Sequence, residues 1–283
     1  MIGKSVNVTT PQGQERIVER EILKLTSDRG EASTDVVTVE EPLEIQIHKE
    51  SIAVVMRTPK DDFDLVAGFL LTEGIIRSPG ELGAVSYCET AEPPNRENVI
   101  EVRLADGASF DVEQLKRNFY ASSSCGICGK ASIEQIKTQA APIEADFRVR
   151  SDMLYELSDR LRQRQAVFEQ TGSLHAAGLF DAAGELLVLR EDVGRHNAVD
   201  KVVGSFVLRD ELPPKESVLM VSGRTSFEIV QKALMAGIPI VAAVSAPSSL
   251  AVDLAREANM TLVGFLRGRG CNVYSGENRI RRD

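Results

Sequence analysis

The stretch Val218-Leu-Met-Val-Ser-Gly-Arg-Thr-Ser-Phe-Glu-Ile-Val-Gln-Lys-Ala-Leu-Met-Ala-Gly-Ile-Pro-Ile-Val-Ala-Ala-Val-Ser-Ala-Pro-Ser-Ser249 reads as a strand, a helix and a second strand. Val218 to Ser222 is rich in β-formers, and Thr225-Ser-Phe-Glu228 has the spacing of a capping box, predicting a helix that stops at Gly237. Ile238 to Ser245 is almost wholly apolar, Ser248 or Ser249 starts a helix to about Asn259, and Thr261 to Phe265 reads as a final strand. Apolar strands joined by helical crossovers imply a parallel sheet covered on both faces.

Such sheets collect ligands beyond the carboxyl ends of their strands, where loops meet helix N-termini. The loops there are Ser222-Gly223-Arg224, Ser245-Ala-Pro-Ser-Ser249 and Arg267-Gly268-Arg269-Gly270. Glycines permit close backbone approach, hydroxyls donate to phosphate oxygens and arginines clamp them, so a phosphorylated or nucleotide ligand is expected. Taken singly, each loop reads first as a tight turn with solvated arginines; their coincidence on one edge carries the ligand reading. Arg267, Arg269, Arg279, Arg281 and Arg282 make the C-terminal end basic, which suits a large polyanion.

Working back, Ser173 to Phe180 and Glu185 to Arg190 flank Asp181-Ala-Ala-Gly184, a hairpin signature, followed by a helix from about Asn197 to Leu208. Ser151 is a candidate cap for a long helix carrying Leu154, Leu157, Leu161 and Phe168. In the first half, the alternation Leu43, Ile45, Ile47 and the run Ile52 to Met56 predict a hairpin. Asp61 or Asp62 then caps a helix whose Phe63, Val66, Ala67, Leu70 and Leu71 share a face. Strands are expected near Gly83 to Cys88 and Asn98 to Leu104, separated by the turn-rich Glu92-Pro-Pro-Asn95.

The expected fold is therefore α/β: a flexible tail over 1–16, a smaller N-terminal α+β domain over 17–119, a mobile loop and linker helix over 120–143, and an α/β domain over 144–283. A chain of 283 residues fits two domains at about 150 residues each. With 33 Lys+Arg against 42 Asp+Glu the net charge is -9, which argues against nucleic-acid binding through a basic surface. No apolar stretch is long enough to span a bilayer, and four scattered cysteines make no disulfide framework, so a cytoplasmic protein with free thiols is expected.

The strongest chemical signal is Cys125-Gly-Ile-Cys128, which follows Ser122-Ser-Ser124. Two thiols at this spacing converge on a metal, on each other or on a transferred atom. A structural zinc needs four ligands, but Cys88, Cys271, His48, His175 and His196 supply no second paired spacing. A thioredoxin-like site wants the motif at the end of a strand in a βαβ unit, and here it follows a serine-rich loop. The third reading is a nucleophilic thiolate on a mobile arm, its ionisation favoured by Lys130 and by a helix starting near Ala131. Cys88, on an expected strand, reads as core packing.

The charged cluster Arg190-Glu-Asp-Val-Gly-Arg-His-Asn197 is either a solvated face or, through Gly194 and the donors of Arg195, His196 and Asn197, a ligand-binding turn. His175 is equally a core histidine or a contact.

Together, Cys125-Gly-Ile-Cys-Gly129, Arg190-Glu-Asp-Val-Gly-Arg-His-Asn-Ala198, Ser222-Gly-Arg-Thr-Ser-Phe-Glu228 and Ser245-Ala-Pro-Ser-Ser-Leu-Ala-Val252 closely resemble the formate dehydrogenase accessory sulfurtransferase family, FdhD, over about 35–275. Ser248 stands where Thr is expected and keeps the hydroxyl. The resemblance implies a sulfurtransferase that takes persulfide sulfur from a cysteine desulfurase. It would pass that sulfur to the molybdenum bis(molybdopterin guanine dinucleotide) cofactor, bound as substrate, before insertion into the formate dehydrogenase catalytic subunit. It further implies Cys125 as carrier, Cys128 as assisting or resolving thiol, and a homodimer. The second domain would be similar to the cytidine deaminase fold. The family's cofactor-binding stretch matches Phe265, Leu266, Arg267, Gly268, Arg269 and Gly270, with Ser222, Gly223, Arg224, Ser245 and His196 beside it, and the resemblance implies guanine nucleotide as a further occupant of the same place.

Zinc deamination, which that fold raises, is rejected on residues: Cys125 and Cys128 precede His175, no proline stands before Cys125, and Ala177 occupies the place of the general-acid Glu. The remaining alternatives are a cofactor chaperone without sulfur transfer and a thiol-disulfide oxidoreductase.

Overall fold

The computed structural model describes residues 15–91, 95–108 and 140–282. The expected tail (apart from residues 15 and 16), the turn at Glu92 to Pro94 and most of the segment 120–143 lie outside the described residues.

An antiparallel ribbon, β1 (Ile17–Leu25) and β2 (Gly30–Thr38), opens the chain. The expected hairpin follows as β3 (Glu41–Ile47) and β4 (Glu50–Arg57), then α1 (Asp62–Thr72), β5 (Leu82–Tyr87) and β6 (Val99–Leu104). These strands form a four-stranded sheet in the order β4-β3-β6-β5. Asp61 precedes α1 in the left-handed region, at φ 57°, and its side chain makes no capping bond. The short β7 (Val149–Arg150) leads into α2 (Ser151–Gln163), which is shorter than expected. Ser151 is its first residue rather than its cap, and the chain turns at Arg164 and Gln165, so Phe168 sits on a separate helix, α3 (Ala166–Thr171).

The second half continues with β8 (His175–Asp181), β9 (Leu186–Asp192), α4 (Arg195–Val207), β10 (Ser217–Val221) and α5 (Phe227–Met235). After these come β11 (Ile240–Ala243), α6 (Ser249–Glu257), β12 (Thr261–Arg267), β13 (Gly270–Ser275) and β14 (Ile280–Arg281). The six-stranded order is β13-β12-β11-β10-β8-β9.

Only β10, β11 and β12 run parallel; β8 and β13 pair antiparallel on either side, so the sheet is mixed rather than parallel. The reason is local: Gly268, at φ 54°, turns the chain straight back into β13, so β12 is not the last strand. The capping box at Thr225 does not form either. Ser226 holds the N-cap position without a side-chain capping bond, and Glu228 bonds His196 instead. Ser248 does cap α6, accepting from Ala251 N at 3.3 Å.

Period-two alternation explains the layering. Leu219, Val221, Val241 and Ala243 face a core shared with α1, α4, α5 and α6, whereas Val218, Met220, Ile240 and Ala242 face Leu154, Leu157 and Leu161 of α2. Leu43, Ile45 and Ile47 of β3 join the first of these cores, so one apolar mass runs from the N-terminal sheet through α1 and α4 to the central sheet.

Buried charge accompanies that junction. Lys232 Nζ lies 2.9 Å from Asp200 Oδ2, 2.7 Å from Glu73 Oε1 and 3.0 Å from Thr72 Oγ1. Burial pulls the ammonium pKa down, but Asp200 and Glu73 outweigh it, so Lys232 stays charged. Lys232→Met strands the Asp200 carboxyl and is expected to lower unfolding free energy by about 3–5 kcal/mol, read from urea titration.

Candidate functional site

The loops at the carboxyl ends of β10, β11 and β12 are tied edge to edge. Thr225 N donates to Ala246 O at 3.2 Å and Ser248 N donates to Thr225 O at 3.0 Å. Phe265 N donates to Ser245 O at 3.2 Å, and Arg267 Nε donates to Val244 O at 3.1 Å. Gly264 permits this closeness: a Cβ there would lie 3.0 Å from Ser245 O and 3.1 Å from Pro247 Cδ. Ser222 is bound to the neighbouring strand from both sides, its N donating to Ala176 O and its Oγ accepting from Ala176 N, each at 2.9 Å. The hydroxyl proton of Ser222 is left for another acceptor.

These loops border a cleft of about 450 Å³. Ser222, Leu266, Arg267 and Gly268 line it together with His175 and with Asp159, Arg162, Gln165 and Phe168 of the α2–α3 region. A second hollow of about 690 Å³ adjoins it at Gly268 and Arg269. Three residues expected from the loop positions, Ser222, Arg267 and Gly268, therefore meet in one cleft, joined by Leu266 from the stretch that the resemblance implies. Phe265 stands beside it with its ring exposed and its backbone at φ 52°, and Gly270 begins β13. Gly223 sits against His175, where a Cβ would lie 3.3 Å from Nδ1, and Arg224 is exposed. Ser245 contributes its carbonyl to the loop pairing, as above.

His196 lies on another part of the edge. Its Nε2 is 2.7 Å from Glu228 Oε2 and 3.1 Å from Ser226 Oγ. That hydrogen bond holds the Glu228 carboxyl below its ordinary value of 4.5. A lowered carboxyl contributes stability that is present above its unfolded value and lost as pH falls through its folded value. Glu228→Gln is thus expected to lose less stability than the wild type as pH falls below about 4.5, measured from urea midpoints.

The charged cluster is neither a solvated face nor a bare turn. Arg190 Nη2 grips Asp64 Oδ2 of α1 at 2.6 Å. Glu191 is buried, and its carboxylate accepts from Val167 N at 3.1 Å and Phe168 N at 2.9 Å, fixing the start of α3. Asp192 accepts from Gly194 N at 2.8 Å and meets Lys201 Nζ at 2.7 Å. The cluster holds one wall of the cleft and the entry to α4.

His175 is half-buried, and burial, then the charges of Arg195 and His196, depress its pKa, so at neutral pH it presents an uncharged imidazole. The α2–α3 wall escaped sequence reasoning because it meets the loops only in tertiary structure. Cys125 and Cys128 lie outside the described residues. Among the described residues no cluster of His, Cys, Asp and Glu could hold a metal, and no helix is long and apolar enough to cross a membrane.

Residues 38–281 match the family model described as the FdhD/NarQ family. The chain is 51% identical to the sulfur carrier protein FdhD of Streptomyces avermitilis, covering 94% of this chain and 96% of the relative. It is 40% identical to the protein of the same name from Saccharolobus solfataricus, covering 94% and 98%. A crystal structure described as a candidate formate dehydrogenase accessory protein from Desulfotalea psychrophila superposes with a TM-score of 0.75 at 26% identity, covering 94% of this chain and all of that one. A match over this much of the sequence, with relatives half identical along nearly their whole length, places the chain in the FdhD/NarQ family, several of whose members are named sulfur carrier proteins.

Proposed function

We propose that the protein is a sulfurtransferase that takes persulfide sulfur from a cysteine desulfurase and delivers it to a molybdenum bis(molybdopterin guanine dinucleotide) substrate destined for formate dehydrogenase. The observation that carries this reading is the cleft in which Ser222, Arg267 and Gly268 converge, in a chain whose relatives are named sulfur carriers. Arg267 neutralises pyrophosphate there, and Ser222 donates its free hydroxyl proton.

Loading is a thiol exchange. The Cys125 thiolate attacks the terminal sulfur of the donor's persulfide, forming Cys125–S–SH and leaving the donor as a thiolate. Release needs two electrons, which Cys128 supplies: its thiolate attacks Cys125 Sγ, a Cys125–Cys128 disulfide forms and hydrosulfide leaves toward the substrate. A dithiol reductant then restores both thiols. The site works in a reducing setting, as a homodimer in the cytoplasm on this reading.

The test is a chase with radiolabelled sulfur. Protein loaded from a desulfurase and labelled cysteine is mixed with formate dehydrogenase lacking cofactor sulfur. Label is expected in the cofactor extracted from the enzyme; label that remains on the carrier while the enzyme becomes active would refute delivery.

A further inference from the structure

Of the side chains lining the cleft, His175 is the one of a type whose charge ordinarily changes between about pH 5 and 8. The other ionisable groups there are the Asp159 carboxylate and the guanidinium groups of Arg162 and Arg267. The ring is half-buried, yet among the described residues no hydrogen bond engages either of its nitrogens. Polar atoms in such surroundings normally find a protein partner. Packing and charge hold this ring instead. Gly223 leaves room for it, since a Cβ there would stand 3.3 Å from Nδ1. The charged and titratable groups that face it are Arg195 and His196 of α4, Asp192 at the end of β9 and Arg224 beyond β10. Burial and the cations outweigh Asp192, so the imidazole rests uncharged and able to accept a proton.

We propose that His175 is the base of sulfur delivery: it takes the proton from the hydrosulfide expelled at Cys125 as that sulfur bonds to the substrate's metal, and then gives the proton to solvent. This rests on the function proposed above and adds the residue that handles its proton. The step balances without a further reagent. Hydrosulfide carries one proton and a sulfide ligand carries none; the S–H bond breaks, its electron pair stays on sulfur, and the proton goes to the imidazole. No electrons move beyond the two that Cys128 has supplied. Bonding to a metal acidifies a sulfur ligand, so a weak base suffices. Arg195 and Arg224 keep the ring from retaining the proton, and it returns to its uncharged form for the next sulfur.

The experiment loads wild type, His175→Gln and His175→Ala with labelled sulfur and mixes each with formate dehydrogenase lacking cofactor sulfur. The label is then divided between cofactor and free sulfide at several values between about pH 5 and 8. That division is independent of how fast hydrosulfide is released, which belongs to Cys128. Wild type is expected to send most of the label to the cofactor at neutral pH, with a share that falls once pH drops below the ordinary imidazole value of 6.5. His175→Gln should load sulfur and unfold as wild type does, yet place about a hundredfold less label in the cofactor, with no such pH dependence. His175→Ala should regain part of the lost share when imidazole is added, in proportion to its uncharged form. If His175→Gln delivers within about twofold of wild type and keeps the same pH dependence, the base role is wrong and sulfur delivery itself stands. A lower unfolding temperature for both variants, without rescue by imidazole, would overturn the role in favour of a structural histidine. Absence of label in the cofactor from wild type overturns the proposed function and this inference together.

Discussion

A Cys125→Ala protein is expected to lose the ability to support formate dehydrogenase entirely, while retaining its fold and its affinity for guanosine diphosphate. Alanine removes the nucleophile. Among the described residues, Cys88 is buried against Thr90 and Glu101, and burial raises the pKa of Cys271, so neither offers an accessible thiolate. Cys128→Ala should differ in kind. It can be loaded but lacks the thiol that expels hydrosulfide, so it should accumulate persulfide and deliver sulfur slowly. Activity in cells lacking the native protein checks both, and wild-type activity from Cys125→Ala would remove the carrier role.

The largest effect on stability is expected at the crossing of α1 and α4. A Cβ on Gly204 would lie 1.7 Å from Asp64 O, and one on Gly68 would lie 1.8 Å from Asp200 O. Both obstacles are backbone carbonyls of a packed helix, which cannot swing aside as a side chain can. Overpacking usually costs about 1–3 kcal/mol; here the helices must separate, unseating the core that joins the two sheets, so Gly204→Ala should cost at least about 3 kcal/mol. Gly204→Leu should yield little soluble protein. Two controls separate this from generic glycine effects. Gly237 has open space but φ 74°, so Gly237→Ala should cost about 1 kcal/mol of backbone strain. Gly270 has open space and no such φ, and Gly270→Ala should be close to neutral. A Gly204→Ala midpoint in urea equal to that of wild type would mean that the helices do not approach this closely.

Much of the second half was legible because its strands are buried on both faces. Ser217–Val221 and Ile240–Ala243 are apolar at every position but Ser217, a pattern that a one-sided sheet would not produce. The β13 return escaped because Arg267 to Gly270 reads equally as a loop or a hairpin turn. The α2–α3 break escaped because Leu154, Leu157, Leu161 and Phe168 look continuous until Gln165 leaves the helix. The β1–β2 ribbon carries charged residues in both strands and has no clean alternation, so nothing local announced it. The site divides along the same line. Ser222, Arg267 and Gly268 follow from loop position on a parallel core, whereas Gln165 and Phe168 reach the cleft only through the docking of α2 and α3 and the grip of Glu191.

The central claim, that sulfur rides on one cysteine of this chain, is tested most directly by intact-protein and peptide mass spectrometry after incubation with a cysteine desulfurase and cysteine. The account predicts a gain of one sulfur atom, located on the peptide containing Cys125, removed by a dithiol and absent from Cys125→Ala. A protein that binds guanine nucleotide yet gains no sulfur on Cys125, even when Cys128→Ala removes the thiol that expels it, would contradict it.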